Sequence, residues 1–379
     1  MFTVKTMMRR RLHWSFGNRT ILLVLLEILL FLDIVRWWSG LGRHSESEQE
    51  DDAVVTSYVG DDCSIRRTDS MKQKSGRYCN AQCIPWNQTL SLNEDPIPEP
   101  SVERFEGICQ GLDAKNCVKP FKTIESDFQY YWTLKPKKTL MCTIPKTSSQ
   151  LMTAIMCLLN DELGFFYSGK EMFGNYYGPA CSKHRVKSVE HAVQIHGPEV
   201  NEWTKLTVVR EPIDRFLSGF VFACVRGVDF ATNCTRYCHG CGANLTCFVE
   251  KEYEEMMRLS SGEQTTVDFL SHHQYPQTWR CGMDKYLKDY TVLKYSSKPA
   301  IFMPRVLEFL HSKNVSEQAM DYIKNVAMKE RTHHATSNTN ARKFFEHRLK
   351  SSPYLMEKVV RMFYHDFKTF GYPLPPGFE

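Results

Sequence analysis

Two segments of this chain repeat one pattern, in which a short apolar run is followed by a polar turn and an apolar stretch of helical length. They cover residues 139–159 and 205–220, and residues 290–295 form a third apolar run. Such runs predict buried strands, and their alternation with helices favours an α/β fold with a mainly parallel central sheet flanked by helices. Further helices are predicted at residues 306–311, 317–331 and 356–363.

The turn of the first segment, PKTSS at residues 145–149, has the composition of an anion-binding loop. A helix that begins near Ser149 presents backbone N–H groups and the positive end of its dipole to this turn. Lys146 adds a positive charge, and Thr147 and Ser148 add hydroxyl donors. The alternative is an ordinary strand–helix turn, in which Ser149 caps the helix and Lys146 is solvated. The Walker A pattern is absent, which disfavours ATP or GTP hydrolysis.

The second segment, KLTVVREPIDRFLSGF, places an arginine where its strand ends. Pro212 marks the start of the following helix, which carries Ser218. The guanidinium of Arg210 suits a phosphate, and Ser218 supplies a further donor. Because ligands of open α/β sheets gather at the carboxyl ends of the strands, we expect both turns to face one crevice. The alternative is a surface ion pair between Arg210 and Glu211 or Asp214.

Cysteines and glycosylation motifs predict an oxidising compartment for most of the chain. All fourteen cysteines lie between Cys63 and Cys281, and their even number favours disulfides in the secretory pathway. Four Asn-x-Ser/Thr sequons in the same part of the chain are candidate glycosylation sites and support a luminal location. These sequons begin at Asn87, Asn233, Asn244 and Asn314.

Four of the cysteines form a cluster, Cys234, Cys238, Cys241 and Cys247. Their spacing is compatible with a zinc site, and the CHGC core is compatible with a redox pair. The flanking sequons favour luminal exposure, where disulfides are the usual state of cysteine. Disulfides are therefore the preferred interpretation of the cluster.

The N-terminal region predicts a membrane anchor. Residues 21–35 are almost continuously apolar, and Trp37 and Trp38 extend the run as interfacial residues. Lysine and arginine residues precede the run, which places the N-terminus in the cytosol. The alternative is a signal peptide cleaved near residues 39–42. We divide the chain into a cytosolic tail (1–20), a transmembrane signal-anchor (21–38), a luminal stem and cysteine-rich connector (39–129) and a main domain (130–379).

In this order, the two segments resemble the donor-binding elements of the membrane-bound, Golgi-type carbohydrate sulfotransferases, and the cysteine cluster resembles that of nematode members. IPKTSSQ is similar to the family's PKxGST loop, and VREPIDRFLS matches its VRxPxxRxxS segment. HHQYPQTWRC (272–281) and FYHDFKTFGY (363–372) resemble two further family segments. The sequence departs from the family at Ser148, where the family has glycine, and at Gln150, where it has threonine.

The resemblance implies a P-loop-like sulfotransferase fold and transfer of a sulfuryl group from 3′-phosphoadenylyl sulfate (PAPS), the co-substrate, to a carbohydrate hydroxyl without a metal. The implied acceptor is a glycan or proteoglycan chain, such as chondroitin or another glycosaminoglycan. The implied location is the Golgi membrane, with a single-pass, type II orientation and the catalytic domain in the lumen. The implied donor contacts are Lys146, Thr147, Ser148 and Ser149 for the 5′-phosphosulfate, and Arg210 and Ser218 for the 3′-phosphate.

Sulfuryl transfer also needs a base for the acceptor hydroxyl, and histidine can accept this proton near neutral pH. His184, His191 and His196 lie between the two turns, in the region where sulfotransferases with a histidine base tend to keep it. His196, which precedes a Gly-Pro pair, is our first candidate, and His191 is our second. Each has an alternative role as a surface or structural histidine. By resemblance, His272 or His273 helps to bind the donor or the acceptor.

Two other classes of protein remain open. A luminal glycosyltransferase shares the anchor, sequons and cysteines, but it usually needs an Asp-x-Asp metal motif, which the sequence lacks. A non-catalytic, glycan-binding relative of the fold would tolerate the changes at Ser148 and Gln150. Nucleic-acid binding is disfavoured, because the net charge of +5 is small and the sequence contains no nucleic-acid-binding motif.

Overall fold

The computed structural model describes residues 105–120, 129–167, 171–173, 179–225, 237–264, 271–329 and 339–379. The predicted tail, anchor, stem and most of the connector lie outside these residues, as do Asn87, Asn233 and Cys234. No helix within the described ranges is both long enough and apolar enough to cross a membrane. The fold is therefore that of the predicted main domain together with a short preceding segment, residues 105–120.

A five-stranded sheet forms the centre of the fold. Its strands are β1 (Tyr130–Leu134), β2 (Thr139–Thr143), β3 (Arg185–Val186), β4 (Thr204–Val209) and β5 (Tyr290–Lys294). They lie in the order β3-β1-β2-β4-β5. β2, β4 and β5 are parallel, whereas β1 is antiparallel to both β2 and β3.

The three predicted strands correspond to β2, β4 and β5, but the expectation of a mainly parallel sheet needs correction. The sheet is mixed, because β1 and β2 form a hairpin through a turn at residues 135–138. So short a connection permits only antiparallel pairing. Neither β1 nor the two-residue strand β3 was predicted from the sequence.

The described residues also form α-helices on both sides of the sheet. They are α1 (Ser149–Asn160), α2 (Glu162–Tyr167), α3 (Pro179–Ser182), α4 (Val189–His196), α5 (Pro212–Phe220), α6 (Leu245–Ser261), α7 (Ser271–Gln274), α8 (Met283–Tyr286), α9 (Pro299–Ser312), α10 (Glu317–Lys329), α11 (Asn340–Lys350) and α12 (Pro353–Phe370). A π-helical turn, Val221–Val225, continues α5. The predicted helices at 306–311 and 356–363 lie inside the longer α9 and α12. The helix predicted at 317–331 corresponds to α10, which ends at Lys329.

Side chains of β2 alternate between two core clusters, one on each face of the sheet. Met141 packs with Leu206 of β4 against α1, α9 and α10. Leu140 and Cys142 point to the other face, where α4 and α8 pack. Because both faces of this central strand are covered, its sequence is a continuous apolar run rather than an alternating one.

A third core cluster lies among α5, α6, α11 and α12. Phe220 of α5 contacts Phe248 of α6 and Phe345 of α11, with ring centroids 5.1 and 5.0 Å apart. Phe216, one turn earlier in α5, contacts Phe248 and Phe363. These contacts bury α5 and hold it in a fixed position beside the end of β4.

Among the described residues, five pairs of cysteines lie together, with Cα atoms 5.2–5.8 Å apart, a separation typical of disulfides. In the predicted cluster, Cys238 pairs with Cys224, and Cys241 pairs with Cys247, so the two cysteines of CHGC are not joined to each other. The pairs are Cys109–Cys117, Cys142–Cys281, Cys157–Cys181, Cys224–Cys238 and Cys241–Cys247.

Candidate functional site

The two predicted anion-binding turns meet at the carboxyl ends of β2 and β4. Arg210, which directly follows β4, donates from Nη1 to the Lys146 carbonyl of the PKTSS turn at 2.9 Å. Arg215 of α5 donates from Nε to the Pro145 carbonyl of the same turn at 3.0 Å. Both turns therefore border one crevice, and two arginines of the second segment hold the backbone of the first.

The backbone of the PKTSS turn has the alternation of an anion-binding nest. Lys146 has φ = 67° and Ser148 has φ = 69°, whereas Thr147 between them does not have a positive φ. Alternation of this kind points successive N–H groups toward one position, where an anion binds. α1 begins directly after the turn and adds the positive end of its dipole. The turn is therefore suited to a phosphate or sulfate group by its backbone alone.

The three hydroxyl side chains of the turn have different environments. Thr147 is 1% exposed, and its Oγ1 donates to the Ile144 carbonyl at 2.8 Å, so its hydroxyl proton stabilises the turn itself. Ser148 is the N-cap residue of α1 but makes no side-chain capping hydrogen bond. Ser149 is the first residue of the helix. The alternative in which Ser149 caps the helix is therefore not what the structure shows.

The side chain of Lys146 lies against an aromatic ring. Its Nζ is 3.5 Å from the ring centroid of Phe222, which belongs to the π-helical turn after α5. The ring of His273 is stacked on the same phenylalanine, with centroids 6.2 Å apart. Sequence reasoning missed Phe222, because a run of apolar residues does not show which of them faces a distant lysine.

Arg210 is buried, and its guanidinium contacts one acidic and one aromatic neighbour. Its Nε donates to Asp214 Oδ2 at 2.6 Å, and its guanidinium lies 4.8 Å from the ring centroid of Tyr295. Asp214 also accepts from Arg342 Nη2 at 2.6 Å. Burial raises the pKa of Asp214, but the charges of Arg210 and Arg342 outweigh burial and hold the pKa below its usual value. The predicted ion pair with Asp214 therefore forms, but beside the PKTSS turn rather than on the surface.

Ser218 lies on the same face of α5 as Asp214, because residues four apart in a helix are neighbours. It is 3% exposed. Since Asp214 contacts the guanidinium of Arg210, this register places Ser218 on the side of the helix that faces Arg210. The structure therefore brings the two predicted 3′-phosphate ligands to one side of α5.

Two further segments hold the end of β4 in place. The side-chain amide of Gln277 accepts from the N–H of Arg210 at 2.8 Å and donates to its carbonyl at 2.9 Å. Asp366 of α12 accepts from the N–H of Gln277 at 2.7 Å and from that of Thr278 at 2.9 Å. Burial raises the pKa of Asp366. The segments 272–281 and 363–372 thus position Arg210.

Arg215 connects the PKTSS turn to α7 and the residue that follows it. It is 1% exposed and donates to the carbonyls of His273, Gln274 and Tyr275 at 2.9–3.2 Å. Burial lowers its pKa to about 10, so the side chain stays charged at neutral pH. No role was predicted for Arg215 from the sequence, although an arginine within a buried helix pattern is itself a signal, since arginine is rarely buried without partners.

The direction of α4 decides which candidate base lies near the PKTSS turn. β3 runs in the same direction as β2, because both are antiparallel to β1. α4 therefore starts at the edge of the sheet where β2 ends, and His191 lies in its first turn. Two strand spacings, about 10 Å, separate β3 from β2. The Nδ1 atom of His191 accepts from the N–H of Lys187 at 3.2 Å.

His196 lies at the opposite edge of the sheet. It ends α4, and its ring centroid is 5.5 Å from that of Trp203, which directly precedes β4. Burial and the charge of Lys135, which precedes β2, lower the pKa of His196. The length of β2, about 13 Å at 3.3 Å per residue, separates this edge from Lys146. The structure therefore does not bring His196, our first candidate base, to the PKTSS turn.

The two sequons within the described residues differ in accessibility. Asn314 is exposed in the turn after α9, and its backbone carbonyl accepts from Lys137 Nζ at 2.5 Å. Asn244 is half-buried as the N-cap of α6, where its Oδ1 accepts from the Cys247 N–H at 3.0 Å. Asn314 is therefore the better placed of the two for glycosylation.

Three curated relatives of this chain come from Caenorhabditis elegans. An uncharacterised protein is 33% identical over 71% of this chain and 75% of its own length. The protein vep-2, which is provisionally named a sulfotransferase, is 32% identical over 69% of this chain and 81% of its own length. The carbohydrate sulfotransferase chst-1 is 27% identical over 69% of this chain and 80% of its own length. No solved structure matches the chain.

A family model also matches the chain, and it spans the whole site. It is described as the sulfotransferase family and covers residues 129–373. The matched region contains both predicted anion-binding turns and the two segments that hold Arg210 in place. It also covers well over half of the sequence. This chain therefore belongs to the sulfotransferase family.

Proposed function

We propose that this protein transfers a sulfuryl group from PAPS to a hydroxyl of a carbohydrate acceptor. The observation that carries the proposal is the hydrogen bond from Arg210 to the Lys146 carbonyl, because it joins two anion-binding turns in one crevice. PAPS carries two anionic groups, a 5′-phosphosulfate and a 3′-phosphate. Membership of the sulfotransferase family supports PAPS as the donor.

The residues of the crevice fit both ends of this donor. The N–H groups of the PKTSS turn, including those of Thr147 and Ser148, would hold the 5′-phosphosulfate together with Lys146 and the hydroxyl of Ser149. Arg210 and Ser218 would hold the 3′-phosphate. The Nε and Nη1 atoms of Arg210 already bind Asp214 and the turn, whereas its Nη2 makes no hydrogen bond within the described residues. That atom is available for a phosphate oxygen.

Transfer requires one bond to form at sulfur while another breaks. The acceptor oxygen bonds to sulfur, and the bond from sulfur to the bridging oxygen of the phosphosulfate breaks. The bridging oxygen keeps the electron pair, so negative charge accumulates on the departing adenosine 3′,5′-bisphosphate. The nest and the ammonium of Lys146 would stabilise this charge.

The proton of the acceptor hydroxyl must pass to a base. His191 lies at the edge of the sheet where the PKTSS turn begins, whereas α4 places His196 at the other edge. We therefore keep His191 as the proposed base and do not retain His196. To take a proton at Nε2, His191 must give up the hydrogen bond from the Lys187 N–H to its Nδ1, because a neutral imidazole has one acceptor nitrogen. This assignment needs the acceptor to enter beside β3, between His191 and Lys146.

The printed name of chst-1 supports a carbohydrate as the acceptor. We extend this to a glycan or proteoglycan chain, such as chondroitin or another glycosaminoglycan. We also propose that the protein lies in the Golgi membrane, with residues 21–38 as a type II anchor and the catalytic domain in the lumen. The support for this location is the apolar N-terminal run, the sequons and the cysteine pairs.

A non-catalytic, glycan-binding relative is the second candidate, because Ser148 stands where the family it resembles has glycine. Ser148 nevertheless adopts φ = 69°, the left-handed conformation that glycine would favour. The turn therefore keeps the backbone shape of an anion nest despite the substitution. This observation favours an enzyme over a binding protein.

Binding of adenosine 3′,5′-bisphosphate to the full chain in detergent tests the proposed donor site. We expect the nucleotide to raise the melting temperature and to bind about 10- to 150-fold more weakly to Lys146→Ala and Arg210→Ala, since each loses a charged contact worth about 1.5–3 kcal/mol. Lys137→Ala is the matched control, because Lys137 lies at the opposite edge of the sheet and binds Asn314. A shift with a sugar nucleotide but none with the bisphosphate would contradict the proposal.

A further inference from the structure

The ring of Phe222 contacts two side chains of the candidate site. The ammonium of Lys146 is 3.5 Å from its centroid, within the range of a cation–π interaction. The imidazole of His273 is stacked on it, with ring planes 27° apart. Phe222 is 7% exposed, so the contact is shielded from solvent. One buried ring therefore lies beside both a cation and a possible proton acceptor.

A local change in helix geometry aims this ring at the PKTSS turn. α5 ends at Phe220, and the chain continues as a π-helical turn, Val221–Val225. A π-helical turn holds more residues than an α-helical turn, so it rotates the side chains that follow, and such turns are common at functional sites. Cys224 within the turn pairs with Cys238, which anchors its far end.

The backbones of the two contacted residues are already fixed by arginines. Arg210 holds the carbonyl of Lys146 at 2.9 Å, and Arg215 holds the carbonyl of His273 at 2.9 Å. A lysine side chain has a long flexible stem, and its conformations must be restricted before its ammonium acts at one point. The face of an aromatic ring restricts them without neutralising the charge, as a carboxylate would.

We propose that Phe222 is a positioning residue for the transfer reaction: its ring holds the Lys146 ammonium at the anion nest. The inference rests on the proposed function, because it assigns Lys146 the task of stabilising the departing phosphate. The ring acts through its negative face, so an apolar side chain of similar volume cannot replace it. A tyrosine can replace it if the site accommodates the added hydroxyl, because tyrosine has the same negatively polarised ring face.

A double-mutant cycle on affinity for adenosine 3′,5′-bisphosphate tests this coupling. We expect Phe222→Leu to weaken binding by about 2- to 30-fold in the otherwise unchanged chain, which is the range of a cation–π interaction. In the Lys146→Ala background, Phe222→Leu should have a clearly smaller effect, because the ammonium that it positions is absent and the stacking on His273 is what its ring still contributes. Phe222→Tyr should retain most of the affinity.

Two controls separate positioning from folding. Phe216→Leu removes a buried ring of α5 whose ring contacts in the described part of the chain are with Phe248 and Phe363, so it should lower the melting temperature but not the affinity. Melting curves of the Phe222 variants identify any that do not fold.

An equal loss of affinity from Phe222→Leu in both backgrounds would overturn the inference and leave the proposed function intact. A loss in Phe222→Tyr as large as that in Phe222→Leu, at an unchanged melting temperature, would overturn it too. Failure of the unchanged chain to bind the bisphosphate would instead overturn the proposed function, and the assigned role of Phe222 with it.

Discussion

Ser148 shows how a single residue can keep the shape of the PKTSS turn without glycine. Its φ of 69° and ψ of 29° lie in the left-handed region, which costs a residue with a side chain about 1–2 kcal/mol. Arg210 and Arg215 offset this cost, because they bind the Lys146 and Pro145 carbonyls of the same turn. The conformation therefore depends on bonds from the second segment as well as on the residue itself.

Replacing Ser148 by glycine tests this explanation at the residue scale. We expect Ser148→Gly to fold with an unchanged or slightly higher melting temperature, because relief of strain outweighs the greater freedom of glycine in the unfolded chain, about 0.5–1 kcal/mol. Affinity for adenosine 3′,5′-bisphosphate should stay within about threefold of the unchanged chain if backbone N–H groups make the contact.

Ser148→Ala is the matched control, since it keeps the strain and removes only the hydroxyl. If both variants lose affinity equally, the hydroxyl rather than the backbone binds the anion. A large loss of affinity in Ser148→Gly alone would show that the strained turn itself is needed.

At the scale of elements, α5 organises the site. Its first turn carries Asp214, which binds Arg210 after β4 and Arg342 of α11. Arg215 binds the PKTSS turn, and Ser218 lies one turn further along the face of Asp214. The π-helical turn that follows then places a ring against Lys146. One helix therefore positions groups at both proposed ends of the donor.

The link from α5 to α11 predicts a pH dependence of stability. The folded pKa of Asp214 lies below its usual value, so its ion pairs stabilise the fold above the unfolded pKa, about 3.9, and this contribution disappears as the pH falls through the lower folded pKa. We expect Asp214→Asn to reduce the free energy of unfolding at pH 7 by about 1.5–3 kcal/mol. The difference from the unchanged chain should shrink below about pH 4.

Urea unfolding at a series of pH values measures this difference. Glu346→Gln is the control, because Glu346 contacts Arg342 at 3.6 Å and is partly exposed, so its loss should cost less than about 1 kcal/mol. A difference for Asp214→Asn that stays constant from pH 7 to pH 3 would contradict the explanation.

At the scale of the whole molecule, the sequence predicts those strands and turns that have a local hydrophobic pattern. β2, β4 and β5 are buried apolar runs, and the turns that follow two of them carry Lys146 and Arg210, so their convergence follows from the parallel arrangement of these strands. The two-residue strand β3 has no detectable pattern. The direction of α4 depends on β3, and for this reason the sequence could not show which of His191 and His196 lies at the edge of the sheet where β2 ends.

Tertiary contacts between distant segments also could not be predicted from the sequence. Gln277 binds the Arg210 backbone, and Asp366 in turn binds the backbone of Gln277, although all three lie far apart in the chain. The resemblance indicated that the segments 272–281 and 363–372 matter, but their polar residues could equally have bound ligand. Only the fold shows that they position Arg210.

Transfer of labelled sulfate from PAPS to a panel of desulfated glycans by the full chain tests the central claim most directly. We predict that at least one glycan becomes labelled and that Lys146→Ala lowers the rate by roughly 100-fold or more, because it removes charge stabilisation of the departing phosphate. Binding of adenosine 3′,5′-bisphosphate without labelling of any glycan would contradict the enzymatic account and favour a non-catalytic relative of the fold.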